Sequence, residues 1–470
     1  MALMLTGTSL TFPELYRLSV FANAGYEKCK LKLSDLEIKE HKDEILSEVM
    51  RLCHKLERYP VLQVRDLLPN GSYFNDTSKI IHPDEGDLLL IFRHISLKNV
   101  NISDVKGKNR VKLTICDENL KEQLNDIKLS FGLYFGLYKE VVDFENNLQS
   151  DITSYIQQAI RICLCQLEGI HYLGASELGP TSSEWECLRK LRLLNQEGSA
   201  SLYGSIIRYG IPGELRESCR NGTYNPHLPP NTIALDKRMH GPCVRIRIGG
   251  GKHTTDIDLG FCIELEHHQT EHSTHIALPY FQAEWVRSVY NSKHKLDEDH
   301  NKLLMLLKLL ILECHLVHES STFSSHALKI LVLRHQARCT SERSLGSCLC
   351  DVAHHVFELY EMNEEYGHLL IYDSRKKLRD VDFPCVDVQP TKLRNYWIMP
   401  VVLYITIRAL RSGCCTGEEA LHVDRWLIIS ELWNNKELGG YVQLNAGDKV
   451  VCKLPIQRID ELLTRFYIRK

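Results

Sequence analysis

The sequence predicts an α+β chain folded in two lobes, a sheet lobe followed by an all-helical one. Three observations carry that expectation. At 470 residues the chain exceeds the roughly 250–300 residues beyond which single cores stop growing. Short apolar or alternating runs, chief among them Leu88–Phe92 and Asp256–Glu264, read as strands. After Trp285 the pattern turns helical, centred on the apolar LLMLLKLLILECHL from Leu303 to Leu316, so the second lobe starts near residue 290.

In chain order, residues 1 to about 26 carry no strong pattern. From Leu31 to Leu56 apolar residues recur at helical spacing (Leu33, Leu36, Ile38, Ile45, Val49, Leu52, Leu56) with charges between them. That predicts a long amphipathic helix ending before Pro60. Val61–Leu67 and Leu88–Ile95 read as the first strands, and residues 116–170 as helical. Ile207–Ile211, Val244–Ile248 and Asp256–Glu264 alternate like strands, with Gly249-Gly250-Gly251 a turn between the last two. His326–Arg338 and Leu345–Tyr360 continue the helical lobe. Trp397–Leu410 contains Pro400 and is too short to cross a bilayer, which takes about 18 apolar residues or more; it predicts a buried element.

Composition is that of an ordinary soluble protein, 44% hydrophobic and 25% charged with a formal net charge of −3. Such a balance leaves nucleic-acid binding to local basic spots. These are Lys106, Lys108, Arg110 and Lys112, then Arg375-Lys376-Lys377, then Lys392 with Arg394. The 17 cysteines are odd in number and lack a disulfide-like framework, and the start shows no basic region followed by an apolar run. A reducing, cytoplasmic location follows as the expectation, with no membrane partner.

The chemistry concentrates in NGSYFNDTSKIIHPDEGDLLLIF, Asn70 to Phe92. Glu85 and Asp87 open the Leu88–Phe92 strand two residues apart, so both carboxylates point to one face. Gly71-Ser72 lies just upstream, where glycine permits close backbone approach to phosphate and serine adds a hydroxyl. In HTTDIDLGFCIEL, His253 to Leu265, Asp256 and Asp258 again share a face. If the two strands are neighbours, three carboxylates converge on a site suited to magnesium and a triphosphate.

Gly-Ser, about a dozen residues, Glu-x-Asp and a distant Ile-Asp-Leu resemble the nucleotidyltransferase fold. More narrowly they resemble the cyclic GMP-AMP synthase-like receptors of the male-abnormal (Mab) family, over residues 28 to 360. The resemblance implies a bilobal nucleotidyltransferase fold: residues 1–290 as core lobe with a spine helix, 291–396 as helical lobe, and 397–470 as an extension of unknown role. It implies Glu85, Asp87 and Asp258 as catalytic metal ligands, with Asp256 the rival for the third position, and Gly71 and Ser72 as the phosphate loop. WVRS, Trp285 to Ser288, resembles the family's Trp-Arg-x-Ser, with Ser288 in register and Arg287 one place late, both assigned to the base. Lys308 and Ser325 match residues that contact donor phosphates, and His326 stands where a stacking tyrosine commonly follows. Magnesium or manganese, with ATP and GTP as substrates, is implied. The family's zinc insertion precedes the lysine helix; the matching stretch His294–Lys302 has no cysteine, and no zinc is expected. Implied partners are a double-stranded nucleic-acid activator, RNA before DNA, and a STING-like receptor reached through a cyclic dinucleotide in innate immune signalling. The rival reading is an inactive nucleic-acid-binding or scaffold relative.

Overall fold

Thr11 and Glu14 form a capping box: the Glu14 carboxylate accepts from the Thr11 N–H at 2.8 Å and its hydroxyl at 2.7 Å. With Pro13 in the first turn, it starts helix α1, Phe12–Cys29. Ser34 and Glu37 repeat the device at α2, Asp35–Leu56, the amphipathic helix the sequence predicts. The computed structural model describes residues 10–75, 78–104, 110–124, 148–176, 228–240, 242–250, 253–267, 273–279, 285–291, 295–318, 325–340, 344–366, 369–370, 387–388, 398–413, 416–417, 444–446 and 449–451.

The strands are β1 (Val64–Asn70), β2 (Glu85–Phe92), β3 (Val100–Asp104), β4 (Arg110–Ile115), β5 (His171–Ser176), β6 (Thr232–His240), β7 (Cys243–Gly249), β8 (Thr254–His267), β9 (Ser273–Pro279) and β10 (Trp285–Asn291). They join one mixed sheet ordered β3-β4-β10-β9-β8-β7-β6-β5, with β2 on β8 and β1 on β2. Strand β8 serves two neighbourhoods. Its first half pairs parallel with β2 and antiparallel with β7, and its second half pairs antiparallel with β9. One apolar core joins the sheet to α2 and to α4 (Leu148–Leu164), through Ile45, Val49 and Leu52 on α2, Ile156 and Ile160 on α4, and Leu88, Leu90 and Phe261 on the strands.

The helical elements are α5 (Glu298–His318), α6 (Ser325–Gln336), α7 (Leu345–Tyr366) and α8 (Ile398–Ser412); the short helix Gly71–Phe74 is called α3. Helix α8 is the buried element expected from Trp397–Leu410, with Leu403, Ile407 and Leu410 out of solvent. No described helix is long and apolar enough to cross a membrane.

Several expectations are corrected. The patternless N-terminus is α1, and it packs on α5, α7 and α8. Arg17 donates to the carbonyls of Leu410 and Arg411, and Arg411 donates to Glu14 at 2.9 Å. Val61 and Leu62 lie in a 3₁₀ turn set by Pro60, so the strand begins at Val64. Residues 171–176 are a strand, and β3, β4, β6, β9 and β10 add pairings the sequence reading did not assign. Ile207–Ile211, Lys106, Lys108, Arg375–Lys377, Lys392 and Arg394 lie outside the described residues.

Candidate active site

Parallel pairing of β2 with β8 places Glu85 opposite Asp256 and Asp87 opposite Asp258. Because side chains alternate with period two, the two acidic pairs lie on one face of adjoining strands. On the other flank of β8, β7 sets Arg245 opposite Asp258 and Arg247 opposite Asp256. Arg247 grips Asp256 from Nε at 2.8 Å and from Nη2 at 3.1 Å, and Asp256 is fully buried. Arg245 donates to both oxygens of Asp258, at 2.7 and 2.8 Å, and to Glu85 Oε1 at 2.9 Å. Asp258 remains 8% exposed. Asp256 is thus held in a fully buried ion pair with Arg247, while Asp258, in its own ion pair with Arg245, stands beside Asp87.

Asn70, the last residue of β1, pairs with Asp87. The next residue, Gly71, turns the chain at φ +70°, and a Cβ there would lie 1.9 Å from Asp87 Oδ2. Only glycine lets the Gly71-Ser72 backbone lie this close to the carboxylate. Gly71 and Ser72 open α3, and the Ser72 carbonyl accepts from the Ser78 N–H at 3.1 Å.

The electrostatics push the two β2 carboxylates apart. Burial, with Glu85 and Asp258 as like-charged neighbours, raises Asp87 to about 7. Lys79 above all, with Arg245, holds Glu85 below the usual carboxylate range. Lys79 itself lies 2.8 Å from Asp84 and 3.8 Å from Glu85; burial opposes its charge, but those carboxylates and Asp87 hold it protonated beyond the ordinary lysine range. An oxygen-only set containing a carboxylate that its neighbours disfavour as an anion fits a hard divalent cation.

A buried relay ties α2 to this loop. Thr255 on β8 donates to the Pro83 carbonyl at 2.7 Å, so its oxygen is left to accept from His41 Nε2 at 3.1 Å. His41 Nδ1 then accepts from the Tyr73 hydroxyl at 2.6 Å, which fixes the tautomer. One imidazole therefore joins α2, the residue after Ser72 and the residue before Asp256. Burial, with His253 nearby, lowers His41 to about 4.

Lys308 on α5 is 6% exposed and donates to Ser78, to the carbonyl at 2.8 Å and to Oγ at 3.2 Å. In this state it braces the segment between α3 and β2. Ser325 is the exposed first residue of α6. Arg287 and Ser288 sit on β10 opposite Ala277 and Ile276; their side chains, and that of His326, lie outside the described residues.

No family model matches the chain, and no curated protein does. Among solved structures, CdnC of E. coli MS115-1 with ATP is similar at 8% identity and a TM-score of 0.41, covering 87% of this chain and 96% of that one. The c-UMP-AMP synthase CdnE of Rhodothermus marinus is similar at 10% identity and 0.33, covering 86% and 97%. A STING-associated CdnE c-di-GMP synthase from Flavobacteriaceae sp. gives 12% and 0.31, covering 77% and 80%. At such scores the likeness carries no argument, and the functional reading rests on the side chains.

Lys79, Arg245, Arg247 and His41 were missed by sequence reasoning. For the arginines a signal existed: VRIRI, Val244 to Ile248, alternates basic and apolar just as TDID, Thr255 to Asp258, alternates acidic and apolar. Two adjacent antiparallel strands with complementary period-two charge predict cross-strand ion pairs. Lys79 and His41 gave no comparable local cue.

Proposed function

We propose that this chain is a magnesium-dependent nucleotidyltransferase that joins nucleoside triphosphates into a cyclic dinucleotide. The observation that carries the reading is the register of Glu85 and Asp87 on β2 with Asp258 on β8, with the Gly71 backbone pressed against Asp87. Glu85, Asp87 and Asp258 would hold the metal, with manganese as its alternative. Magnesium bound there supplies charge neutralisation for a triphosphate and acidifies an attacking ribose hydroxyl. Arg245 keeps Asp258 and Glu85 oriented, and Asp258 accepts the hydroxyl proton. Gly71 and Ser72 present backbone and hydroxyl donors to phosphate. Lys308, Ser325, Arg287, Ser288 and His326 complete the nucleotide site of a bilobal fold divided near residue 290. ATP and GTP are the proposed substrates. Double-stranded RNA, before DNA, is the proposed trigger, in the cytoplasm, with a STING-like receptor reading the product.

One observation favours a second reading. Arg245 already neutralises Asp258 and Glu85, as it would in a catalytically silent scaffold. Incubating the protein with labelled ATP, GTP, CTP and UTP plus magnesium, alone or with double-stranded RNA or DNA, tests the proposal. A phosphatase-resistant product appearing with one nucleic acid is expected. A phosphatase-sensitive product identifies a linear synthetase instead, and salt-dependent nucleic-acid binding without nucleotide consumption identifies the scaffold.

A further inference from the structure

Away from the sheet, α5, α6 and α7 bring together His300, His335, Cys339 and Cys348, whose ligand atoms all lie within 4.8 Å of one another. We propose that these four side chains bind a structural zinc ion that fastens the three helices. The donor set is two imidazoles and two thiols, which suits zinc in a closed tetrahedral site and not magnesium or calcium. Cys339 Sγ and Cys348 Sγ are 3.5 Å apart. Two thiolates on one tetrahedral zinc, at about 2.3 Å each, sit roughly 3.8 Å apart, whereas a disulfide needs about 2.05 Å.

His300 carries the most direct sign of a ligand. It is 6% exposed, and its Nε2 is buried with no hydrogen-bond partner among the described residues. Its Nδ1 lies 2.7 and 2.8 Å from the two oxygens of Asp297. A proton on Nδ1 donated to that carboxylate leaves Nε2 as the metal-binding nitrogen, the carboxylate–histidine arrangement that orients metal-binding imidazoles. Asp297 is itself fixed: it accepts from the His300 N–H at 2.9 Å and donates its own N–H to Gln336 at 3.0 Å. Gln336 follows His335 and donates to the Lys295 carbonyl at 3.1 Å. The start of α5 is thus tied to the end of α6 around the cluster. His335 and Cys348 are buried, and the rings of His300 and His335 are 5.2 Å apart.

The expectation of no zinc rested on the absence of cysteine from His294–Lys302, the stretch before the lysine helix. The spacing is H-x34-H-x3-C-x8-C, and only the fold assembles it. The inference is independent of the nucleotidyltransferase reading, because metal content is read without any activity.

Elemental analysis of the full chain, expressed in zinc-supplemented cells and purified without chelator, tests it. About one zinc per chain is expected, falling at least tenfold in Cys339→Ser/Cys348→Ser. Asp297→Asn keeps all four ligands and is expected to weaken zinc binding by about 10–100-fold, read as faster loss to a chromophoric chelator. Cobalt added to the stripped native chain should give tetrahedral d–d bands and thiolate-to-cobalt charge transfer. Less than a tenth of a zinc per chain, unchanged zinc in the double variant, cobalt spectra lacking thiolate bands, or a Cys339–Cys348 disulfide in the intact mass would each overturn the proposal.

Discussion

On the sheet, the acidic residues come from two short segments, each an alternating run on its own strand, and hydrogen-bonded register alone lines them up. Among the helices, four nitrogen and sulfur donors come from α5, the end of α6, the turn after it and α7, and only tertiary packing brings them into reach. The first set is partly open to solvent, offset by Lys79, Arg245 and Arg247, and suited to an exchangeable hard cation. The second is mostly buried and suited to a cation that stays. The sheet cluster takes its geometry from backbone hydrogen bonds between neighbouring strands, whereas the helix cluster takes its geometry from side-chain packing between helices.

The sharpest way to break that contrast is at Asp87. Asp87→Asn is expected to lower nucleotide turnover by roughly 10³-fold or more while leaving the thermal midpoint unchanged or higher, since it removes a carboxylate whose burial and like-charged neighbours disfavour it. A variant that unfolds would mean that the sheet cluster is structural after all. Metal removal should split the regions the opposite way. Stripping zinc is expected to cost about 4 kcal/mol of stability relative to zinc at a thousandfold excess over its Kd, measured by denaturant unfolding, whereas withdrawing magnesium, present at no more than a few times its Kd, should cost about 1 kcal/mol or less by the same linkage.

Within the sheet cluster, Asp256 and Asp258 should differ. Asp256→Asn strands Arg247 in a buried position and is expected to destabilise the fold by about 3–5 kcal/mol, seen in urea unfolding. Asp258→Asn is expected to lose turnover with a smaller stability cost. Equal effects of the two would erase the distinction drawn from their arginine partners.

How much of this was legible in the sequence follows from the same contrast. Glu85, Asp87, Asp256 and Asp258 were legible because strand alternation is a local property, and α2 was legible because its apolar stripe is long and charge-flanked. Helix α1 was not, since small residues interrupt its buried stripe of Leu18, Phe21, Ala22, Gly25 and Cys29 and dilute the pattern; its Thr11–Glu14 box and Pro13 were the usable signals. The partner of Lys308, a loop residue 230 positions away, and the His–Cys set depend on how helices dock, which no window of sequence encodes.

Two smaller effects sharpen the account of the loop. Gly71→Ala places a methyl against Asp87 at positive φ and is expected to cost about 1–3 kcal/mol, with nucleotide binding weakened as the loop retreats. For His41, the unfolded chain takes up a proton below about 6.5 while the folded imidazole stays neutral until about 4. Stability is therefore expected to fall as pH drops from about 6.5 to 4, by roughly 2–4 kcal/mol. His41→Gln should flatten that slope in pH-dependent unfolding, and an unchanged slope would remove His41 from the relay.

The most direct test of the central claim is calorimetric titration of a non-hydrolysable nucleoside triphosphate into the native chain and Asp87→Asn, with and without magnesium. The geometry predicts binding that requires magnesium and is lost in the variant. Binding that is indifferent to magnesium, or equal in the two proteins, would contradict a metal–triphosphate site built on Glu85, Asp87 and Asp258.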